Sequence, residues 1–393
     1  MARRRILSIV FSASVFAVAV PCPAFPAQRV VDLTAADGTK LKATYFSASS
    51  PGPGVLLLHQ CNRQRKVWDG LAQQLAASGI NVLTLDYRGF GESGGIPVDK
   101  AAPQQVQEAQ AKWPGDIDVA LQYLEQQPGV KRDPIGVGGA SCGVDNSVQT
   151  ARRHSEVKSL VLLSGNTDLN GRNFLRNDQT VPVFFAYADD DPFKPSITAI
   201  QWMYSITADP SKKLVRYPNG GHGADIFLVH PDLPGQIVDW YVTTLTSTGR
   251  RAPAPKEAMA VPGKIRVLED IDQPGGAAKA EQMLADARKR DPKATLFDEA
   301  TVNLIGYEHM QAGDVEGAIG IFRLNVMAFP GSPNVYDSLS DAYVASGQNQ
   351  LAQENAKKAL ELLPSDTTDD AQRKDAIKAS AEQKLKQLGN TPQ

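Results

Sequence analysis

Several features are scarce in this chain. Its 393 residues include only three cysteines and five histidines. So few cysteines exclude a small disulfide-knit scaffold, and neither residue type clusters at metal-ligand spacing. An excess of one charge is also missing. The 41 Lys and Arg nearly balance the 43 Asp and Glu, for a formal net charge of −2. That leaves no electrostatic case for nucleic acid or an anionic membrane surface as partner. No phosphate-binding glycine loop or cofactor motif occurs, so neither a cofactor nor a metal is expected. The apolar run at the start, Ile6 to Val20, follows Arg3-Arg4-Arg5 and ends at Pro21, too short to span a bilayer. It reads as a signal peptide over residues 1–27, cleaved after Ala27 or Ala24, for export to a bacterial periplasm or beyond. Cys22 does not convert it to a lipoprotein leader, because Pro21 is a poor lipobox residue.

Against these absences stands one sharp local signal. Ile135 to Gly138 is a short apolar run suited to a buried parallel strand, and Val144 to Arg152 continues as a helix. Between them, Gly139-Ala140-Ser141-Cys142-Gly143 puts a serine at the apex of a strained turn, where side chains two residues either side would collide. This resembles the nucleophile elbow of the α/β hydrolases. The stretch also resembles the elbow of dienelactone hydrolases, which carry a cysteine nucleophile. With Cys142 at the apex, β-branched Val144 would fall where the turn is tightest, so the register favours Ser141. Cys142 then supplies the N–H directly after the nucleophile, at a helix mouth whose dipole favours a developing oxyanion.

The resemblance implies an acid and then a histidine further along the chain. Val181 to Ala188 reads as a buried strand followed by Asp189-Asp190-Asp191-Pro192-Phe193. That loop resembles the family's acid loop, usually Gly-x-x-Asp-Pro, with Ala188 where glycine is commoner. Matching the proline assigns the acid to Asp191, with Asp190 as the alternative; the other aspartates read as caps of a helix starting near Pro195. Lys213 to Tyr217 reads as the next strand, followed by Asn219-Gly220-Gly221-His222-Gly223. A histidine between glycines has no core stripe to occupy, and histidine suits proton transfer near neutrality, so His222 is the expected base. His154, His230 and His309 lie in charged or helical segments and read as structural.

Gly54 to His59 is an early strand, and His59-Gln60-Cys61-Asn62 resembles the family's His-Gly-x oxyanion turn, with Gln60 in place of glycine. The resemblance implies that Cys61, or else Gln60, donates the second oxyanion N–H while His59 braces the loop. Cys61 and Cys142 would then be near enough for a disulfide in an exported chain; two small buried thiols are the alternative.

The remaining first half agrees in order. Arg29 to Leu33 and Leu41 to Phe46 read as antiparallel strands, Trp68 to Ala77 as a helix and Ile80 to Leu85 as a strand. Asp86-Tyr87-Arg88-Gly89-Phe90-Gly91-Glu92-Ser93 resembles the family's Asp-x-Arg-Gly-x-Gly-x-Ser turn. The expected fold is an α/β-hydrolase, doubly wound and mostly parallel, over residues 28–247. A Pro/Ala-rich linker is expected over 248–275. Residues 276–390 read as an all-α domain: Gly313 and Gly347, Ala318 and Ala352, and Pro330 and Pro364 are each 34 residues apart. This is the tetratricopeptide period. It implies either a groove for a protein or peptide, or a packed appendage that stabilises the hydrolase or drives self-association.

The resemblance implies an exported serine hydrolase of ester or lactone bonds. A peptidase, a thioesterase, or a non-catalytic binding protein on a degenerate hydrolase domain are the rivals. Arg63, within the basic run Asn62 to Lys66, and Gln60 are candidate substrate contacts, the run facing a substrate carboxylate; a solvated basic helix start is the commoner meaning of such a run. No insertion between Ser164 and Thr180 suggests a large lid, and Gly94 to Pro114 offers at most a small cover, so small soluble esters are expected to reach an accessible site.

Overall fold

The computed structural model describes residues 28–246 and 262–389. The expected signal peptide at 1–27 and the first half of the expected linker, 248–261, lie outside the described residues. The first unit runs β1 (Gln28–Thr34), β2 (Lys40–Phe46), β3 (Gly52–Leu58), α1 (Asp69–Ala77), β4 (Asn81–Leu85), α2 (Pro103–Gln110) and α3 (Trp113–Glu125). It continues β5 (Val130–Ala140), α4 (Cys142–Arg153), β6 (Val157–Leu163), α5 (Leu169–Asn177), β7 (Val183–Ala188), α6 (Lys194–Ile206), β8 (Lys212–Tyr217), α7 (Ile226–Val229) and α8 (Asp232–Tyr241).

The eight strands form one sheet in the order β1-β2-β4-β3-β5-β6-β7-β8. β2 is antiparallel to both its neighbours, and pairing is parallel from β4 to β8. Helices cover both faces, which is why β3 reads as an unbroken apolar run. Leu56 and Leu58 enter a core with Ile117 and Leu121 of α3 and Val144 and Val148 of α4. Val55 and Leu57 point the other way, into a core with Leu71 and Leu75 of α1 and Ile237 and Tyr241 of α8. This is the two-residue period of a strand. The strand order reverses around β3, which lies between β4 and β5. Reversal opens a crevice at the carboxyl ends of the strands, and it sets the turn after β3 beside the turn after β5.

The second unit comprises α9 (Gly263–Ile271), α10 (Gly276–Arg290), α11 (Glu299–Gln311), α12 (Val315–Ala328), α13 (Pro333–Ala345), α14 (Asn349–Leu362) and α15 (Ala371–Gly389). Helix α9 lies inside the stretch expected as linker. Its Ile265, Leu268 and Ile271 are buried with Ala280 and Leu284 of α10 and with Trp202 of α6. Pro262 before it and Gly275 and Gly276 behind it disguise so short an amphipathic segment as a linker. The pairs α11–α12 and α13–α14 are offset by 34 residues at all four boundaries. Gly313 and Gly347 turn them at φ of 87° and 74°, the left-handed region where a side chain is penalised.

The two units are joined by buried charge. Arg172 of α5 donates twice to Asp272, at 3.0 and 2.6 Å. Arg176 forks onto Glu269 of α9 at 2.8 and 2.7 Å and also reaches Asp272. Trp202 Nε1 donates to Glu269 at 2.7 Å, and Arg172 lies 4.6 Å over the Trp202 ring. Among the described residues, no helix is long and apolar enough to cross a membrane.

Candidate active site

Ser141 stands between β5 and α4 with φ of 53° and ψ of −119°, a region that costs a non-glycine residue energy. Its neighbours explain how the turn is held. A Cβ on Gly139 would sit 1.9 Å from the Gly143 carbonyl oxygen, and one on Gly143 would sit 2.4 Å from that of Leu58. Both glycines are therefore demanded by close backbone approach. The elbow is further pinned by the Ser141 N–H bonding to the Leu163 carbonyl at 2.9 Å.

The three adjacent aspartates have three different partners. Asp191 is fully buried and accepts from His222 Nδ1 at 3.0 and 2.8 Å, from the Phe193 N–H at 2.8 Å and from Ser196 Oγ at 2.7 Å. Burial opposes its charge, and these hydrogen bonds, His222 foremost, outweigh burial and hold the carboxyl below its usual range. Asp190 accepts from the Gly221 N–H at 2.9 Å and so steadies the histidine loop. Asp189 pairs with Arg216 at the surface. The carboxylate on the imidazole is thus Asp191, and Asp190 has a different task.

Gln60, expected to touch substrate, is fully buried and faces the histidine loop. Its amide donates to the His222 carbonyl at 3.2 Å and to Asn62 Oδ1 at 3.0 Å, and its oxygen accepts from the Ala224 N–H at 2.8 Å. The glutamine that departs from the family's glycine is therefore a strut between two loops. Arg63, the other expected substrate contact, forks onto Asp225 at 3.0 Å through both Nε and Nη2. It lines an open cleft with Cys61, Lys66, Phe90 and Leu228; neither Arg63 nor Cys61 is in the lining of the cavity beside Ser141, which the cleft adjoins through the Cys61–Cys142 bond. His59 is buried; burial lowers its pKa and the Gln60 carbonyl opposes the shift. Its Nδ1 bonds the Gln60 carbonyl at 2.8 Å and its Nε2 accepts from the Tyr87 N–H at 3.2 Å.

Cys61 and Cys142 are joined by a disulfide with Cα atoms 5.9 Å apart. It ties the turn after β3 to the start of α4, where the crevice opens. Among the described residues, neither cysteine's N–H donates to another protein group. Cys142 lines the cavity beside Ser141 and Cys61 the adjoining cleft.

Ser141, Cys142 and His222 line one cavity of about 270 Å³. Nε2 of His222 is the ring nitrogen left free by Asp191; no hydrogen bond joins it to the Ser141 hydroxyl, a contact that commonly tightens only when substrate is bound. Several lining residues carried no signal in the sequence. Ser164, directly after β6, has φ of 47° and a buried hydroxyl without a hydrogen-bond partner. Arg172 and Trp202 come from α5 and α6, and Thr301, Leu304, Ile305 and Glu308 from α11 of the second unit. The open site expected from the missing lid insertion is thus walled by residues far along the chain. Among the described residues, no group of three or more His, Cys, Asp or Glu side chains is arranged to hold a metal ion.

Residues 49–178, from the approach to β3 through the elbow and into the end of α5, match the family profile described as "Serine aminopeptidase, S33". A thiohydrolase, AneE, of Aspergillus aculeatus is 28% identical over 134 residues, 33% of this chain and 39% of its own; the chain therefore spans well under two thirds of that relative. The protein YfhR of Escherichia coli is 24% identical over 244 residues, 55% of this chain and 81% of its own. Among solved structures, an esterase from an Arctic intertidal metagenomic library aligns at a TM-score of 0.46 and 22% identity, covering 57% of this chain and 96% of its own. A dienelactone hydrolase of Anabaena variabilis aligns at 0.45 and 17% identity, covering 56% and 99%. The matched segment and the mostly parallel eight-stranded sheet agree with an α/β-hydrolase fold for the first unit. A helical appendage follows the hydrolase domain.

Proposed function

We propose that the protein is an exported serine hydrolase that cleaves carboxylic esters through an acyl-enzyme. One convergence carries this reading. A serine held at positive φ on a helix mouth shares a cavity with an imidazole whose other nitrogen rests on a buried carboxylate. Ser141 Oγ attacks the ester carbonyl while His222 Nε2 takes its proton; Asp191 orients the imidazole and stabilises its charged form. The Cys142 and Cys61 N–H groups hold the oxyanion, and preorganised donors of this kind are worth about 10²–10³ each in kcat. The tetrahedral adduct collapses as His222 returns the proton to the leaving alkoxide. Water, deprotonated by His222, then releases the acid and restores the serine.

The match to a thiohydrolase favours thioesters as a second substrate class, with a thiol leaving in place of an alcohol. Export rests on the basic and then apolar start of the chain and on a disulfide, a bond that persists in oxidising compartments. The 34-residue offset of the helix pairs supports a tetratricopeptide reading of residues 299–362.

The test is chemical. A fluorophosphonate probe should label Ser141 in the intact protein, and Ser141→Ala should lose both labelling and ester turnover while melting at an unchanged temperature. Turnover that survives the substitution rejects Ser141 as nucleophile.

A further inference from the structure

The hydrolase domain does not close its own cavity. Helix α11 adds Thr301, Leu304, Ile305 and Glu308 to the lining, and these side chains differ in exposure. Leu304 is 48% exposed, whereas Glu308, one turn on, is 8% exposed. At the exposed edge, Phe193 of the hydrolase domain is 61% exposed with its ring centroid 6.3 Å from that of His222. Two large apolar side chains, one from each domain, thus stand in water around one opening, the kind of exposure that marks a binding site. Deeper, Ile305, Trp202 and Met203 are buried and apolar.

The buried end is polar. One buried side-chain oxygen that lines this cavity, Ser164 Oγ, has no hydrogen-bond partner. Beside it in the lining, Glu308 Oε2 is ion-paired with Arg172 Nη1 at 2.6 Å. An unmet buried oxygen costs about 1–3 kcal/mol, so a ligand group that satisfies one is favoured. A ligand carboxylate is poorly suited, because Arg172 is already matched by Asp272 and Glu308. The cavity's volume of about 270 Å³ lies at the lower limit of small-molecule pockets, roughly 300–1,000 Å³.

We propose that α11 is the specificity wall of the hydrolase site, selecting esters whose acyl arm is a short aliphatic chain ending in a hydroxyl group. The chain passes Phe193 and Leu304 and lies along Ile305, Trp202 and Met203, and its hydroxyl meets the unpartnered Ser164 Oγ and the Glu308 carboxyl. Burial pushes Glu308 up to about 7, so near neutrality it is present with and without its proton. A hydroxyl satisfies both forms, because it donates and accepts. The inference rests on the hydrolase reading and adds to it the substrate class and the domain that chooses it.

The full-length protein is assayed with p-nitrophenyl acetate, p-nitrophenyl hexanoate and the ω-hydroxy analogue of the hexanoate. Wild type should favour the hydroxylated ester over the plain one by roughly tenfold or more in kcat/KM, mostly through KM. Glu308→Leu should erase or reverse that preference. Leu304→Trp, at a half-exposed site that tolerates substitution, should lower the hexanoate-to-acetate ratio about tenfold. Absence of the hydroxyl preference in wild type, or ratios unchanged in both folded variants, overturns the proposal and leaves the hydrolase standing. No turnover of any ester, with no fluorophosphonate labelling of Ser141, removes both.

Discussion

The two halves of the cavity are held in place by different means. On the hydrolase side the loops are tied to one another within the domain: the disulfide links the turn after β3 to the elbow, Gln60 holds the histidine loop at Ala224, and Asp190 holds it at Gly221. On the α11 side, position depends on a charged seam between domains, with Arg172 and Arg176 facing Asp272 and Glu269. The first arrangement fixes reacting atoms and tolerates little displacement. The second fixes a wall, whose displacement changes what fits more than whether chemistry occurs. Damage to the two sides should therefore look different.

The largest effect is expected on the hydrolase side. Asp191→Asn should cost about 10⁴ in kcat, because the imidazole loses the partner that sets its tautomer, while the melting temperature moves little; steady-state kinetics beside calorimetry would show the contrast. On the other side, Asp272→Ala should destabilise the fold by about 3 kcal/mol, since it takes a buried countercharge from two arginines. Denaturant unfolding measures that loss, and a cost near zero would mean that the seam contributes little.

A smaller effect comes from Glu308. In the unfolded chain it loses its proton near 4.5, and in the fold it keeps it to about 7, because burial disfavours the charge more than Arg172 favours it. Between these values the folded state binds more protons, so stability falls as pH rises through that window. Melting temperatures taken across it should decline more steeply in wild type than in Glu308→Gln. The least consequence is expected from Arg63→Ala. Its pair with Asp225 is partly exposed, such pairs contribute about 0–1 kcal/mol, and kcat/KM should stay within roughly twofold. A large loss of activity there would return Arg63 to the substrate.

What could be read from the sequence follows the range of the forces involved. The elbow is partly local: a Cβ on Gly139 would strike the carbonyl of Gly143, four residues on. The parallel sheet is also legible, because strands buried on both faces become apolar runs such as Val55 to Leu58. The proline match points to Asp191 but leaves Asp190 as the alternative, because the partners that divide the three aspartates, His222, Gly221 and Arg216, lie on later elements. Nothing near Arg63 in sequence announces its partner Asp225, which is 162 residues away. Gln60 looked like a defect in a family turn and is a strut to a loop equally remote. Nothing local marks Leu304 or Glu308 either; on α11 they are ordinary helix residues until α5 and α6 are packed beneath them. Helix α9 was hidden by its own brevity between proline and glycine.

One consequence of the Cys61–Cys142 bond concerns how the protein is handled. The bond begins at the residue after Ser141 and closes a loop with a sequence separation of 81, so chain-entropy arguments credit it with about 4–5 kcal/mol. Material made in a reducing cytosol, or stored with dithiothreitol, would be a weaker fold with a looser crevice. Assays that differ only in reductant would then appear to describe two different catalysts.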